Sequence, residues 1–261
     1  MPEVPSFSLR GKVIVQFGGT GLLGRALVQA LAAADATTIV ASRNRASLES
    51  LAEAQRTAGR SVAIEEVDIT AESSLQALRD RVLGAHGRVD GIVFNAVTRA
   101  MKGYDDSLAS WEASMATNAT GFFSTVRVFG DAMAARKSGS IVNISSMMGM
   151  VGMNPHLYTG ISGAPPPDYF FHKAGMINLT RYLASHYGAS GVRVNAVSPG
   201  GIYNPDKPQA PEFLSRYAPQ TMLGRMAHAE EIGGAVVFLL SDASTYITGA
   251  NLPVDGGYTA K

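Results

Sequence analysis

The sequence predicts an α/β protein, doubly wound, with a parallel sheet of about seven strands and helices on both faces. Three observations carry that expectation. Short, nearly continuous apolar runs alternate with helical segments along the chain; strands buried on both faces and joined by crossover helices read this way. A glycine-rich loop, FGGTGLLG (17–24), stands at the first strand–helix junction, where such folds bind a ligand. No shift in composition and no tandem repeat divides the 261 residues, so the expected domain is 1–261.

In order, KVIVQF (12–17) reads as a buried strand and LLGRALVQALAAA (22–34) as a helix. TTIVA (37–41) is the second strand, followed by a helix from Arg45 to Ala58. SVAIEEV (61–67) is the third, closed by Asp68, with a helix from Ala71 to Ala85 behind it. GIVFNA (91–96) is the fourth. A long helical stretch over about 107–136 carries Phe122, Val126, Phe129 and Met133 on one stripe, broad enough to cover both the sheet and a partner subunit. GSIVNISS (139–146) is the fifth strand, a helix spans Tyr169 to about Tyr187, and VRVNAVS (192–198) is the sixth strand. AEEIGGAVVFLLSD is the last helix and NLPV the last strand.

Composition narrows the function. With 22 basic and 21 acidic residues the net charge is +1, and no Lys/Arg run forms a nucleic-acid footprint. The absence of cysteine excludes disulfides, thiolate nucleophiles and Cys-ligated metal. His86, His156, His172, His186 and His228 lack ligand spacing, so no metal is expected. No apolar run reaches a membrane span, and MPEVPSFSLRGK lacks the apolar stretch of a signal peptide; cytoplasm is the expected compartment.

Two motifs carry chemistry. In the glycine loop, Gly18, Gly21 and Gly24 let the backbone approach a ligand, and the helix N-terminus offers unpaired N–H groups to a diphosphate. Thr20 is placed to cap the helix or touch phosphate. The second motif is YFFHK, Tyr169 to Lys173. Positions i and i+4 share a helix face, and a nearby ammonium lowers the pKa of a phenol, giving an acid/base suited to neutral pH.

Taken together, the loop, the strand order and Tyr169-x-x-x-Lys173 resemble the short-chain dehydrogenase/reductase family across nearly the whole chain. VDIT (67–70), NAV (95–97), Asn118 in MATNATG, NISS (143–146), SPGG (198–201) and VDGG (254–257) follow in the family's order. The resemblance implies a Rossmann-like fold and hydride transfer between a nicotinamide cofactor and a secondary alcohol or ketone. It implies Tyr169 as general acid/base, Lys173 tuning it and holding the cofactor ribose, Ser146 on the substrate oxygen, and Asn118 holding a relay water. The adjacent Ser145 points to the opposite face of the strand. The cofactor contacts it implies are Gly18, Thr20, Gly21, Leu22 and Leu23 in the loop; Ser42, Arg43 and Asn44 past the second strand; Asp68 and Ile69; Asn95, Ala96 and Val97; Tyr169 and Lys173; and Pro199, Gly200 and Ile202.

The departures are specific. Phe17 stands where the family has Thr, the Gly-x-x-Gly-x-x-Gly spacing resembles the extended branch, and Val97 replaces a Gly. The Thr that often follows Pro-Gly is missing from PGGIYNP, with Asn204 or backbone as substitute. The gap from Ser146 to Tyr169 is longer than usual. Tyr158 lies nearer the usual distance, but four residues on stands Ser162, not Lys, so 158–168 reads as an insertion. The Met-rich MMGMVGM (147–153) suits either core filling or a pocket wall. The Pro-rich 203–226 stretch reads as a substrate lid, its polar Asn204, Asp206, Lys207, Gln209 and Arg216 leaning towards a sugar- or polyol-like substrate. Arg43 occupies the place where the family's NAD users carry Asp, so NADP(H) is favoured, with NAD(H) possible. The resemblance also implies a homotetramer, since the family packs its two long helices, here about 107–136 and 168–187, against symmetry mates. A 3-ketoacyl-thioester reductase and a non-catalytic nucleotide sensor are the competing readings.

Overall fold

Seven parallel strands in the order β3-β2-β1-β4-β5-β6-β7 form the sheet of the computed structural model, which describes residues 6–161 and 163–261. The signal-peptide reading rests partly on residues 1–5, and the insertion includes Ser162; these positions lie outside the described residues. The strands are β1 (Val13–Phe17), β2 (Thr37–Ser42), β3 (Ala63–Glu66), β4 (Gly91–Phe94), β5 (Gly139–Ile144), β6 (Val192–Pro199) and β7 (Asn251–Val254). The helices are α1 (Leu22–Ala33), α2 (Arg45–Thr57), α3 (Glu72–His86), α4 (Leu108–Met115), α5 (Phe122–Ala135), α6 (Pro167–Gly188), α7 (Pro211–Tyr217) and α8 (Gly233–Leu240).

Period-two alternation splits each central strand between two cores. Val15, Phe17, Ile92, Phe94, Ile141 and Val194 pack against α3, α5 and α6. Ile14, Val93, Val142 and Val197 pack against α1 and α8. Both faces are therefore covered, which is why the strands read as continuous apolar runs. The strand order reverses between β1 and β4, opening a crevice at the carboxyl ends where such folds take their ligands.

The long helix departs from expectation. It divides into α4, one wide π-type turn at Ala116–Gly121, and α5. Such turns interrupt the regular hydrogen-bond ladder and gather at functional sites; this one carries Asn118. The stripe of Phe122, Val126, Phe129 and Met133 is buried in the sheet-facing core, at most 2% exposed. It therefore covers the sheet alone, and the expectation that it also meets a partner is corrected. β4 and β5 also end earlier than predicted, releasing Asn95, Ala96, Ser145 and Ser146 into loops.

Candidate active site

The glycine loop is held by close backbone approach. Gly18 has φ +81°, and a Cβ there would lie 2.6 Å from Ala96 Cα. Its N–H donates to the Ala41 carbonyl (3.0 Å), and its carbonyl accepts from Asn95 Nδ2 (2.7 Å). A Cβ on Gly24 would come within 2.3 Å of the Gly18 carbonyl oxygen, so α1 packs onto the loop only with Gly there. Gly19, passed over by sequence reasoning, is equally constrained, 2.2 Å from Val40 Cγ1. Gly21 differs: nothing lies within 4 Å of its Cβ direction, and as N-cap of α1 it supplies no side-chain cap. The first N–H groups of α1, at Leu22, Leu23 and Gly24, have no partner within the helix. An open space bordered by free donors and a helix-dipole N-terminus fits a diphosphate, so this chain can hold a dinucleotide here.

Ser42 ends β2 half-buried, and Arg43 just past it is exposed. Asn44 is the N-cap of α2 and accepts from Ser47 N–H at 2.8 Å, which leaves its amide NH₂ for a ligand. Asp68 accepts from the Thr70 hydroxyl and N–H, and these bonds, helped by the charge of Arg43, hold its carboxyl below the usual range. The Ile69 side chain belongs to the core, so its backbone is what faces a ligand. Val97 is exposed. On the far side of the cleft, Pro199 ends β6, Gly200 N–H donates to the Val254 carbonyl, and Ile202 pairs with Ala227 in a short parallel bridge. Asn204 Oδ1 accepts from Asp206 N–H within its own loop (3.1 Å).

Ser146 from the loop after β5, Asn118 from the wide turn, and Tyr169 with Lys173 from α6 supply the four side chains. Lys173 is buried and donates to the Ile144 carbonyl at 2.7 Å. Burial, reinforced by the charge of Arg99, pushes its ammonium down to about 7. Its Nζ lies 5.7 Å from the Tyr169 ring centroid, and Arg99 Cζ lies 5.8 Å from the same centroid. Gly149 allows the loop after β5 to reach α6: a Cβ there would stand 2.7 Å from the Lys173 carbonyl group. The two serines separate cleanly. Ser145 Oγ donates to the Lys173 carbonyl (2.9 Å), whereas Ser146 Oγ accepts from Met148 N–H (3.1 Å) and keeps its hydroxyl proton free to donate.

Asn118 is clamped. Its Oδ1 accepts from Thr98 N–H, and its Nδ2 donates to the Thr98 carbonyl and to Ser114 Oγ, each at 2.9 Å. Ser114 in turn donates to Asp168, a buried carboxylate beside Tyr169. Sequence reasoning missed Ser114, Asp168 and Arg99. Ser114 had a findable signal, sitting four residues before Asn118 on one helix face.

Tyr158 and Tyr169 are not equivalent. Tyr158 packs against Phe213 (5.5 Å), and burial pushes its phenol up to about 12, the wrong direction for a base. The stretch around it also ties down the Pro-rich segment, for Arg216 Nη1 donates to the Thr159 carbonyl at 2.6 Å. Gln209 Nε2 donates to the Ile202 carbonyl. Asn204, Gln209 and Arg216 thus brace the loop rather than present a polar wall. Of the four methionines, Met147 and Met148 fill the cluster with Leu157 and Tyr217, while Met150 and Met153 are exposed.

The family model described as enoyl-(acyl carrier protein) reductase matches residues 21–259. The chain is 35% identical to a cis-4-hydroxycyclohexanecarboxylate dehydrogenase of Sinomonas cyclohexanicum, covering 95% of this chain and 97% of that protein. It is 33% identical to a D-threitol dehydrogenase of Mycolicibacterium smegmatis, covering 98% and 95%. A gluconate 5-dehydrogenase of Burkholderia cenocepacia, solved with NADP and tartrate, superposes with a TM-score of 0.88 at 25% identity over 99% of both chains. The protein is a nicotinamide-dependent oxidoreductase acting on CH–OH groups. It belongs to the short-chain dehydrogenase/reductase family. The non-catalytic reading is set aside accordingly.

Among the described residues no helix is long and apolar enough to cross a membrane, and no cluster of His, Asp and Glu could hold a metal.

Proposed function

We propose that the protein oxidises a secondary alcohol of a polyol or cyclic alcohol to the ketone, or reduces the ketone, with Tyr169 as its acid/base. The carrying observation is the setting of that phenol, less than 6 Å from two cationic groups while the rival Tyr158 is packed against Phe213. The similar proteins named for D-threitol, cis-4-hydroxycyclohexanecarboxylate and gluconate support the substrate class.

When bound, the nicotinamide accepts or donates the hydride. Gly18, Gly21, Leu22 and Leu23 hold its diphosphate through backbone N–H groups, and Lys173 holds a ribose hydroxyl. Tyr169 Oη takes the carbinol proton in oxidation and returns it to the ketone oxygen in reduction. Ser146 donates its free hydroxyl proton to the substrate oxygen and stabilises charge developing there. Because the Asn118 side chain is spent on Thr98 and Ser114, its main-chain carbonyl in the wide turn is the atom that takes the relay water. The segment 203–226, pinned to 158–168 by Arg216, closes over the substrate.

NADP(H) is the preferred cofactor. Arg43 is exposed just past β2, with no acidic residue beside it in sequence though its charge reaches Asp68, and a guanidinium there pairs with a 2′-phosphate. We also propose a homotetramer. Its support moves from the buried stripe to Leu108, Phe123, Phe171 and Tyr182, apolar side chains exposed on α4, α5 and α6; light scattering that gave a monomer mass at micromolar concentration would rule it out. The function is tested by a panel of polyols and cyclic alcohols with NADP and NAD, followed at the nicotinamide absorbance. Turnover that vanishes in Tyr169→Phe is expected; no turnover across the panel would refute the proposal.

A further inference from the structure

We propose that Arg99 is a specificity-determining residue that binds a carboxylate on the substrate, so that the alcohols this enzyme prefers are hydroxy acids. The inference rests on Tyr169 being the acid/base and deepens that reading by naming a substrate class.

Arg99 follows Thr98, whose N–H and carbonyl are both bound by the Asn118 side chain. The backbone from which Arg99 springs is therefore fixed against the wide turn. From there its guanidinium carbon reaches 5.8 Å from the Tyr169 ring centroid, on a side chain that is exposed. Lys173, the other cation at that ring, is buried and committed to the Ile144 carbonyl. Of the two, only Arg99 is exposed where a substrate can meet it.

Among the described residues no carboxylate forms an ion pair with Arg99. Asp106, in the following loop, accepts from the N–H groups of Lys102 and Ser107 and from the Ser110 hydroxyl. Asp168 is buried against Ser114. Lys102 even brings a further ammonium, donating to the Arg99 carbonyl at 2.9 Å. The charge of Arg99 works against its neighbour, helping burial to push Lys173 down to about 7. Holding one cation against another disfavours the folded protein, and an anion arriving with the substrate relieves it. A guanidinium presents a planar fork that matches a carboxylate through two parallel N–H···O bonds. A neutral alcohol offers no such partner.

The test compares 3-hydroxybutyrate, 4-hydroxypentanoate and 5-hydroxyhexanoate, which carry the carboxylate at increasing distance from one secondary carbinol, each beside its neutral carboxamide. In wild type the kcat/KM of at least one acid exceeds that of its amide. In Arg99→Gln this acid-to-amide ratio falls about tenfold to a hundredfold, carried by KM, and Arg99→Lys, which keeps the charge without the fork, restores part of it. An unchanged ratio in Arg99→Gln overturns the inference. So does an equal loss for acid and amide accompanied by a moved pH profile, since Arg99 would then act by tuning Tyr169. So does a wild type that oxidises neutral polyols or cyclic alcohols and none of the acids; in these three cases the proposed function stands. Turnover of neither acids nor neutral alcohols with either cofactor overturns the proposed function and this inference with it.

Discussion

The glycine loop and the substrate loops both lie at the carboxyl edge of the sheet, yet different forces hold them. Around Gly18, Gly19 and Gly24 the constraint is backbone against its surroundings, with room for no Cβ. Around the substrate, the constraint is side chain against side chain. Tyr158 meets Phe213, Phe213 stacks on Tyr217, and Tyr217 stacks on Tyr258, with ring centroids 5.5–5.6 Å apart. One arginine-to-carbonyl bond ties Thr159 to α7. A backbone contact of that kind tolerates no substitution, whereas an aromatic cluster can be repacked at modest cost. The lesson is that the half of the cleft proposed to hold the cofactor is fixed by geometry, and the half proposed to hold the substrate is fixed by packing.

Breaking the glycine side of that comparison should give the largest effect on the fold. Gly18→Ala forces a Cβ into Ala96 at a positive φ, and a strain of about 1–3 kcal/mol is expected, seen as a fall in Tm of several degrees. Gly21→Ala projects into open space, so Tm should hold while NADP affinity, measured by calorimetry, falls. Equal Tm losses in the two variants would contradict the division drawn between them.

Arg43→Asp should reverse the ratio of kcat/KM for NADP over NAD, with each term moving about tenfold to a hundredfold. A wild type that favours NAD, or a mutant with an unchanged ratio, would remove the assignment of Arg43.

In the region proposed to hold the substrate, Arg216→Ala deletes a bond from α7 to the Thr159 carbonyl and nothing in the core. KM should rise about fivefold, in line with a loss of about 1 kcal/mol, with Tm almost unmoved. A large fall in Tm would place this contact in the folding core instead.

The smallest effect concerns His172. It is 4% exposed, neither ring nitrogen has a partner, and burial, with the charge of Lys173, pushes its pKa down to about 3. The unfolded value is about 6.5. Between those values the unfolded chain binds more protons, so this contribution to stability is complete above about 6.5 and is lost as pH falls towards 3. His172→Leu should therefore flatten the fall of Tm over that window. An unchanged slope would show that acid lability lies elsewhere, in carboxylates such as Asp90.

What the sequence revealed follows the same line. The succession of strands and helices, the glycine loop and the Tyr169-x-x-x-Lys173 spacing were legible because period, conformational freedom and helix spacing are local properties. The wide turn at Asn118 was not, since the stretch reads as one continuous helix and the break shows only in the backbone ladder. The chain from Asn118 through Ser114 to Asp168 joins α4 to α6, and neither the bonds nor the burial of Asp168 can be read before the helices pack. The stripe of Phe122, Val126, Phe129 and Met133 was correctly seen as apolar, but its width left open how many surfaces it covers. Within 203–226, that Asn204, Gln209 and Arg216 brace the segment was not legible, because composition cannot tell a side chain facing a ligand from one bracing its own surroundings.

The central claim is that Tyr169, not Tyr158, is the acid/base, and one pair of variants tests it directly. Phe keeps the ring at either position and removes only the proton. The account predicts that Tyr169→Phe abolishes turnover, by at least about a thousandfold in kcat, while NADP still binds, and that Tyr158→Phe retains most of the wild-type rate. Loss of turnover in Tyr158→Phe with activity kept in Tyr169→Phe would contradict it.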